Sequence, residues 1–594
     1  MKKLLLTFML ALATMCVSAQ SLGNVPSTVS ASDVTILKES VLVIASHDSI
    51  VVNAVTGKVD TLRIDDGMKI FSPEEFEQLV GEPQRLRAAV VPGEQWGHDN
   101  GSKPLVLATF VKLYTYKYPS VDADGNVIYL SALMGIPLNR IWAAAMPDHL
   151  IIGCHETITS NYECPSEWND TGGRAIKSGN CMMLQYCRFD ITRQPCCLVI
   201  MPDYEGYGIT KNRAHPYLYQ ELTARQVVDA VRSGLAFYDH LINIGEAKPF
   251  EPGWKSVSIG YSQGGSVSLA THKFIEQNGL SDELHFAGSV CGDGPYDPVS
   301  HLRYYMKDNG ETYDDTVHTA HRAEKVSMPI VMPLILKGMC DSNPLMRQHY
   351  IDDYLTLDFL YTESIKFIED KAQAKKKDQY NTDRINEKYV EMMKKGKTGT
   401  YTKIIHDTGE VKEYTKKCTA DDFKRVMEIY DSDYAHGKLA GMMTETCLEY
   451  FQSLTADTPV PTEPGLMQDL HRALESNNLT KGWTPQHRVA FFHSTYDTVV
   501  PYENLLSFIR NQSELTYYFL DKDRSRTKKA GVNPPHITTK QSDANVYIRD
   551  ATCKKDHVPA GSDFFMWGAS GLFGLTGLSP DMQMIKWVLT GSDD

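Results

Sequence analysis

One serine stands between glycines in the segment Gly260–Gly265, which reads Gly-Tyr-Ser-Gln-Gly-Gly. The residues before it, Trp254–Ile259, have the composition of a short strand, and Ser266–Ile275 have that of a helix. A serine in a sharp strand-to-helix turn projects its hydroxyl above a sheet, and small flanking residues let strand and helix approach closely. The next backbone N–H, that of Gln263, then faces the developing oxyanion. The pattern predicts a nucleophilic Ser262, against the alternative of a tight turn with an incidental serine.

A serine hydroxyl is a poor nucleophile without a base, and that base must be oriented by a third group. In a chain with this turn the order is serine, then an acid, then histidine. Asp497 lies in the loop directly after the strand-like run His487–His493 and is the predicted acid. Asp293 and Asp341 are rivals, but neither follows that run. A turn aspartate without a catalytic role is the remaining alternative.

His557 lies after the last predicted strand and before the last predicted helix, on a loop at the same edge of the sheet. It is the predicted base. His536, in the run Pro-Pro-His, is its nearest competitor. His493 precedes the acid and is expected to pack.

The second oxyanion donor usually comes from the loop after an earlier strand. The turn Pro202–Gly208 follows the strand-like run Cys197–Met201. Asp203 or one of its neighbours is positioned to present an N–H toward the carbonyl oxygen, alongside the N–H of Gln263. A glycine-rich turn without this role stays open.

The elements that must position these residues alternate along the chain. Short apolar runs such as His149–Gly153 and Leu284–Val290 read as buried strands, and Glu221–Ile244 reads as a long amphipathic helix. Strands alternating with helices predict an α/β fold, with a mainly parallel sheet covered by helices on both faces. Before them, two apolar runs flank the Asp/Gly turn Asp122–Asn126 and predict an antiparallel hairpin.

The alternation breaks in a long, mostly helical stretch that we interpret as a cap inserted into the sheet domain; a separate helical domain is the alternative. The predicted division is a signal peptide at 1–19, a small N-terminal region at 20–103, the first part of the core at 104–297, the cap at 298–480 and the second part of the core at 481–594. We assign no function to the N-terminal region.

The N-terminal residues have the pattern of a secretory signal peptide. A basic start, Met1–Lys3, precedes the apolar run Leu4–Ala13, and small residues end at Ala19. Cleavage before Gln20 is expected, since Met15 fits poorly before a lipoprotein-type Cys16. No later stretch reaches about 18 uninterrupted apolar residues, so we expect an exported protein, periplasmic or extracellular, without a stable membrane span.

The charge and the cysteine spacing of the chain limit the kinds of ligand that it is expected to bind. The net charge of -14 argues against nucleic-acid binding, which usually needs a basic face. The cysteine spacings lack the paired Cys-x-x-Cys pattern of a structural zinc site. In an exported chain, the cysteines between Cys154 and Cys197 leave room for one or two disulfides.

Together these segments resemble the α/β-hydrolase superfamily, in particular secreted lipases of the fungal lipase A type and their bacterial relatives. The resemblance covers about residue 104 to the C-terminus, apart from much of the cap, and it rests on four segments in order: Pro202–Gly206, Gly260–Gly265, Asp497–Pro501 and His557.

The resemblance implies an α/β-hydrolase fold, an oxyanion hole formed by Asp203 with the Gln263 N–H, and a large cap that shapes the acyl site. One departure is that many relatives carry His-Gly after the third strand, whereas this chain has His155-Glu156-Thr157. Any contribution of that loop to the oxyanion hole is left open.

The hypothesis from the sequence is an exported serine hydrolase that cleaves small-molecule or lipid acyl esters without a cofactor or metal. A prolyl-type peptidase on the same fold is the first rival, although the residues before the core, 20–103, are too few for the propeller that such enzymes often carry. A non-catalytic binding protein on a hydrolase scaffold is the second rival.

Overall fold

A computed structural model of the chain describes most of its residues. They are 29–52, 59–90, 107–139, 142–158, 161–167, 183–187, 196–306, 325–326, 331–361, 398–405, 408–419, 421–422, 437–438, 441–454, 461, 463–520, 527, 531–550, 556–565 and 579–593. The predicted signal peptide lies outside these ranges.

Sixteen strands and thirteen α-helices are found within the described residues. The strands are β1 Thr35–Val52, β2 Val59–Phe71, β3 Leu107–Val121, β4 Val127–Leu138, β5 His149–Cys154, β6 Cys197–Pro202, β7 Ser256–Tyr261, β8 Phe286–Gly292, β9 Lys325–Val326, β10 Thr398–Ile404, β11 Val411–Lys417, β12 Gly437–Lys438, β13 Arg488–His493, β14 Thr516–Phe519, β15 His536–Ile537 and β16 Val546–Asp550. The helices are α1 Pro73–Val80, α2 Pro83–Val90, α3 Gln220–Asn243, α4 Gln263–Gln277, α5 Pro298–Tyr305, α6 Val331–Ser342, α7 Ile351–Tyr354, α8 Leu357–Leu360, α9 Glu445–Ser453, α10 Leu466–Ser476, α11 Glu503–Asn511, α12 His557–Phe565 and α13 Pro580–Thr590.

Twelve strands form one twisted sheet in the order β15-β14-β16-β13-β8-β7-β5-β6-β4-β3-β1-β2. Every pair from β15 to β6 is parallel. The pairs from β6 to β2 are antiparallel. The predicted α/β class with a mainly parallel sheet is confirmed, and the carboxyl ends of β7, β8 and β13 meet at one edge.

Helices cover both faces of the sheet because the side chains of its central strands alternate between two apolar cores. On β5, Leu150 and Ile152 pack in a cluster with Val227 of α3, whereas Ile151 between them packs in a second cluster with Trp587 of α13. Strand side chains have a period of two, so fully apolar strands bury both faces.

The N-terminal region contributes two strands to this sheet. The sequence predicts three short strands here, Val34–Leu37, Val41–Ile44 and Ser49–Val52, and the structure joins them in the single strand β1, which pairs with β2 and β3. The sequence also predicts a short helix over Pro73–Val80 with Ser72 as its cap. It is confirmed as α1, with the Ser72 hydroxyl accepting from the N–H of Glu75 and the Glu75 carboxylate accepting from the N–H of Ser72. The predicted hairpin is confirmed as β3 and β4.

The segment 298–480, which we interpret from the sequence as a cap, contains α5 to α10 together with two small antiparallel strand pairs, β9 with β12 and β10 with β11. Its helices form an apolar core of their own, which includes Leu302, Phe359 and Phe451 and extends to Val499 and Val500 beside the predicted acid. The sequence favours helix packing over an acyl or aromatic pocket for the stretch 354–361, and most of its side chains do pack into this core. The segment therefore packs directly against the loop of Asp497.

The cysteines are not bridged in the described part of the chain. Nine of them, including Cys154, Cys187, Cys196 and Cys197, are buried and free. The expectation of disulfides between Cys154 and Cys197 is therefore not met by the described cysteines; Cys181 lies outside them. Across the described residues, we find no helix with the length and apolar character needed to span a membrane.

Candidate active site

Ser262 occupies the turn between β7 and α4, where the sequence predicts it. Its backbone angles are φ 58° and ψ -126°, a conformation that residues other than glycine rarely adopt. The N–H of Ser262 donates to the carbonyl of Gly292 at 2.9 Å, and its own carbonyl accepts from the N–H of Gly265 at 2.9 Å. The surrounding structure thus holds the strained backbone that lifts the hydroxyl above the sheet.

The turn requires glycine at positions 260, 264 and 265, because backbone carbonyl groups lie very close to the chain there. A Cβ on Gly260 would lie 2.2 Å from the carbonyl oxygen of Gly264, and a Cβ on Gly264 would lie 2.1 Å from that of Cys154. A Cβ on Gly265 would lie 2.2 Å from the carbonyl oxygen of Gly292. Each contact is with backbone, which cannot move aside cheaply, so these positions exclude any side chain.

His557 and Asp497 lie beside this serine. The Nε2 of His557 is 2.8 Å from Ser262 Oγ, and its Nδ1 is 2.5 Å from Asp497 Oδ2. Because a carboxylate only accepts, Nδ1–H donates to Asp497 and leaves the Nε2 lone pair toward the serine hydroxyl. The structure brings the three predicted residues into one hydrogen-bonded chain. One detail differs from expectation, since His557 is the first residue of α12 rather than part of a loop.

Asp497 is held as an acceptor. Its Oδ1 accepts from the N–H groups of Val499 at 2.8 Å and Val500 at 2.7 Å. Burial raises the pKa of Asp497, while His557 opposes this rise. Burial also disfavours the charged form of His557, but the neighbouring carboxyls, Asp497 first among them, outweigh burial and raise the pKa of His557 above its ordinary value of 6.5. The site therefore stabilises the imidazolium that forms when a base takes a serine proton.

The rival residues are placed as follows. Asp341 lies on α6 and pairs with Lys337, and His536 is exposed on the edge strand β15. His493 is buried, with Nε2 2.9 Å from the carbonyl of Val500, so it packs as expected. Asp293 is different, because it lies fully buried beside the site.

The backbone N–H groups of Gln263 and Asp203, both predicted to bind the oxyanion, lie in different hydrogen-bonding surroundings. Gln263 is the first residue of α4, and the first N–H groups of a helix have no partner within the helix. The N–H of Asp203, however, donates to the carbonyl of Ser131 at 3.0 Å. Its buried carboxyl accepts from Ser131 Oγ at 2.5 Å and from the N–H of Ser166 at 2.8 Å. In this geometry Asp203 anchors its turn and has no free N–H for an oxyanion, which corrects the expectation.

Sequence reasoning missed Tyr261 and His215. The hydroxyl of Tyr261, the residue before the serine, reaches the carbonyl of His557 at 2.6 Å and also contacts Asp293. The ring of His215 accepts from the side-chain amide of Gln263 at 2.7 Å. The motif itself carried a signal for Tyr261, since the residue before the serine ends a buried strand, but nothing in sequence marked its partners.

A cavity of about 420 Å³ is lined by residues other than Ser262, Asp497 and His557. It lies between the turn 207–215 of the core and the cap elements α6 and β10. Its lining mixes aromatic and charged side chains, including Tyr207, Arg213, His215, Lys337, Tyr350 and Lys403. One lining residue, His215, accepts a hydrogen bond from the side chain of Gln263, the residue after Ser262.

Two groups of side chains within the described ranges bring possible metal-ligating atoms within 4.8 Å of one another: His272, Glu276 and His487, and Asp293, His493 and Asp497. In the first group, Glu276 already accepts from both histidines and from the N–H of His487. In the second, both oxygens of Asp497 are engaged by His557 and by backbone N–H groups. We assign a metal to neither.

Comparisons with known proteins found similar chains among solved structures. No family model matches, and no curated protein matches. Among solved structures, the rice cell wall degrading esterase LipA from Xanthomonas oryzae is 17% identical, with a TM-score of 0.43 over 75% of this chain and 85% of that one. Candida antarctica lipase A in its closed state is 12% identical, with a TM-score of 0.43 over 81% of this chain and 78% of that one.

Similarities at this level carry no conclusion about the chemistry of this chain. The class of this protein is read from its own structure: a mainly parallel α/β sheet with a strained serine turn after β7. A histidine and an aspartate stand beside that serine at the same edge of the sheet.

Proposed function

We propose that this chain is an exported serine hydrolase that cleaves carboxylic esters through an acyl-enzyme. The observation that carries the proposal is the continuous hydrogen-bonded chain from Ser262 Oγ through His557 to Asp497, with contacts of 2.8 Å and 2.5 Å. Export is proposed on the signal-peptide pattern before Gln20, and a mature protein beginning at Gln20 is the expected result of N-terminal sequencing.

In the proposed mechanism, Ser262 Oγ attacks the ester carbonyl while His557 Nε2 takes the hydroxyl proton. Asp497 holds the imidazole in the tautomer that presents a bare Nε2 and stabilises the imidazolium. The N–H of Gln263 donates to the oxyanion, aided by the positive end of α4. His557 then protonates the leaving alcohol. In the second half, water attacks the acyl-enzyme, with His557 acting first as base and then as acid.

The cavity lined by His215, whose ring contacts Gln263, is the proposed space for part of the ester. Its polar and aromatic lining favours a substrate that is not purely hydrocarbon, and its position between core and cap lets the cap select that part of the substrate. A small-molecule or lipid acyl ester is the proposed substrate class.

The test is a series of p-nitrophenyl esters from acetate to palmitate, assayed with the wild type and with Ser262→Ala. We expect the substitution to lower kcat by a factor of about 10³ or more. Ser562→Ala is the matched control, because Ser562 is exposed on α12, the helix that begins with His557; this change should leave kcat within about twofold. Near-normal hydrolysis by Ser262→Ala would overturn the assignment.

A second substrate set separates the ester hydrolase from the peptidase. Aminoacyl-proline anilides are expected to be cleaved more slowly than the best ester by the wild type. Faster release of the amine would replace ester cleavage with peptide cleavage while keeping the same three residues. Failure of the wild type to react with a fluorophosphonate probe would instead favour a binding protein.

A further inference from the structure

The ring of Tyr261 is fixed in place between two glycines. A Cβ on Gly292 of β8 would lie 2.6 Å from its Cδ2, and a Cβ on Gly561 of α12 would lie 2.7 Å from its Cε1. The ring centroid is 5.2 Å from that of His557. Neither glycine position has room for a side chain beside this ring, so the ring stays in place and its hydroxyl keeps the same hydrogen-bond partners.

That hydroxyl touches two oxygens and has one hydrogen. It makes a short contact with Asp293 Oδ2, and it lies 2.6 Å from the carbonyl oxygen of His557. Two oxygens this close repel unless a hydrogen lies between them. A backbone carbonyl has no hydrogen to give. If Tyr261 donates to His557, the hydrogen in the other contact must come from Asp293.

A comparison of the buried carboxyls of Asp497 and Asp293 also indicates that Asp293 carries the additional hydrogen. Asp497 receives three donors: two backbone N–H groups and Nδ1–H of His557. Apart from Tyr261, Asp293 receives the N–H of Ser494 at 2.7 Å. Hydrogen bonds from donors stabilise the anion, and two anions in one buried cluster disfavour each other. The ionised carboxylate is thus favoured more strongly at Asp497 than at Asp293, and the protonated carboxyl is favoured at Asp293.

The groups facing Asp293 fit this assignment. The titratable ones are Tyr261, Tyr296, His493, Asp497, Asp556 and His557. His493 Nδ1 lies 3.6 Å from Asp293 Oδ1, and burial lowers the pKa of His493 to about 4, so this ring is neutral. A protonated His493 beside an ionised Asp293 would still leave Tyr261 one hydrogen short.

We propose that Asp293 is a neutral carboxylic acid at neutral pH, donating to Tyr261, which in turn donates to the backbone carbonyl of His557. Asp293 and Tyr261 are then positioning residues for the base at the start of α12, and Asp497 is left as the single buried anion of the site. Burial raises the pKa of Asp293 to about 6, and the proposal requires the hydrogen bond that the carboxyl donates to Tyr261 to hold it above 7. The protonation state stands without the proposed function, whereas the positioning role rests on it.

The first test is infrared difference spectroscopy of the full chain at pH 7, wild type minus Asp293→Asn. Asparagine has the same shape, can donate to Tyr261 and can accept from the N–H of Ser494. We expect the difference spectrum to contain the C=O stretching band of one neutral carboxylic acid. A difference made only of carboxylate bands would overturn the proposal. This measurement needs no catalysis, so it decides the protonation of Asp293 even if the protein hydrolyses no ester.

The second test compares pH profiles of kcat/KM. Under the proposal, Asp293→Asn removes no charge. The acid limb of the kcat/KM profile of this variant should therefore coincide with that of the wild type. Asp556→Asn is the control, because Asp556 is a half-exposed carboxyl that raises the pKa of His557; its limb should move to lower pH. A limb that moves as far in Asp293→Asn as in Asp556→Asn would overturn the proposal.

The positioning role is tested by breaking the two contacts in turn. Tyr261→Phe keeps the ring and removes the hydroxyl, and should lower kcat about tenfold with KM little changed. Asp293→Ala should lower kcat similarly, and Asp293→Asn should restore it. Equal losses in the Ala and Asn variants, with unchanged thermal midpoints, would contradict the donor role of Asp293.

Discussion

At the residue scale, the contact between His557 and Asp497 sets the pH dependence of the proposed reaction. The base works only when its imidazole is neutral, so kcat/KM falls as the pH drops through the pKa of His557. Because Asp497 helps to raise that pKa, the acid limb should lie above the ordinary value of 6.5. A profile measured with a short p-nitrophenyl ester checks this, and a limb below 6.5 would contradict it.

Asp497→Asn tests the same contact from the other side. Removing the negative charge lowers the pKa of His557 and frees the imidazole to adopt the other tautomer. We expect kcat to fall by about 10³ to 10⁴, and any residual acid limb to move to lower pH. An unchanged kcat would show that Asp497 is not the catalytic acid and would favour the rival, Asp293.

The residues that sequence reasoning found are those whose neighbours along the chain identify them. Ser262 is marked by its glycines, and Asp497 and His557 follow it in the order that this architecture requires. Tyr261 was missed and Asp293 was considered only as a rival acid, because their contact joins the ends of two strands that are far apart in sequence. Asp203 was misjudged because a turn motif does not reveal that its N–H is already bonded to a neighbouring strand.

At the element scale, the turn between β7 and α4 depends on the absence of side chains. Gly264→Ala would place a Cβ 2.1 Å from the carbonyl oxygen of Cys154 and 2.7 Å from that of His155, forcing β5 and α4 apart. We expect the thermal midpoint to fall by about 5 °C or more and ester hydrolysis to fall with it. Differential scanning calorimetry and the ester assay measure the two effects.

Gly81→Ala is the control for this substitution. Gly81 ends α1 with φ -75°, and a Cβ there would meet nothing within 4 Å. Its thermal midpoint should stay within about 2 °C of the wild type. Equal shifts in the two variants would show that the glycine of the serine turn is not under steric constraint.

Elements defined by local signals were predicted well. The helix after Ser72 begins with a capping box, and the β3–β4 hairpin is marked by its turn residues. The long strand β1 was divided into three because polar residues interrupt its apolar pattern, and only pairing with β2 and β3 reveals its continuity. The helix beginning at His557 was missed although Asp556 directly precedes it and is a residue type favoured at helix N-caps, because the segment was interpreted as a loop between the last strand and the last helix.

At the scale of the whole molecule, the sheet continues beyond the part that carries the site. Residues 20–103 gave no functional signal in sequence, yet their strands β1 and β2 extend the sheet past β3. Tertiary pairing of this kind has no local signature, because any apolar strand is able to pair with any exposed edge. The N-terminal region therefore completes the sheet, which is a role that composition alone does not reveal.

This pairing leads to a prediction about truncation. β1 pairs with β3 over eleven positions, from Thr35 with Lys117 to Ser46 with Leu107. A chain that starts at residue 104 keeps Ser262, Asp497 and His557 but leaves β3 as an unpaired apolar edge. We expect this chain to aggregate on size-exclusion chromatography, whereas a chain that starts at residue 29 retains β1 and elutes as one species. If the chain from 104 also elutes as one species and hydrolyses esters at the full rate, the first two strands are dispensable for the fold and for the proposed site.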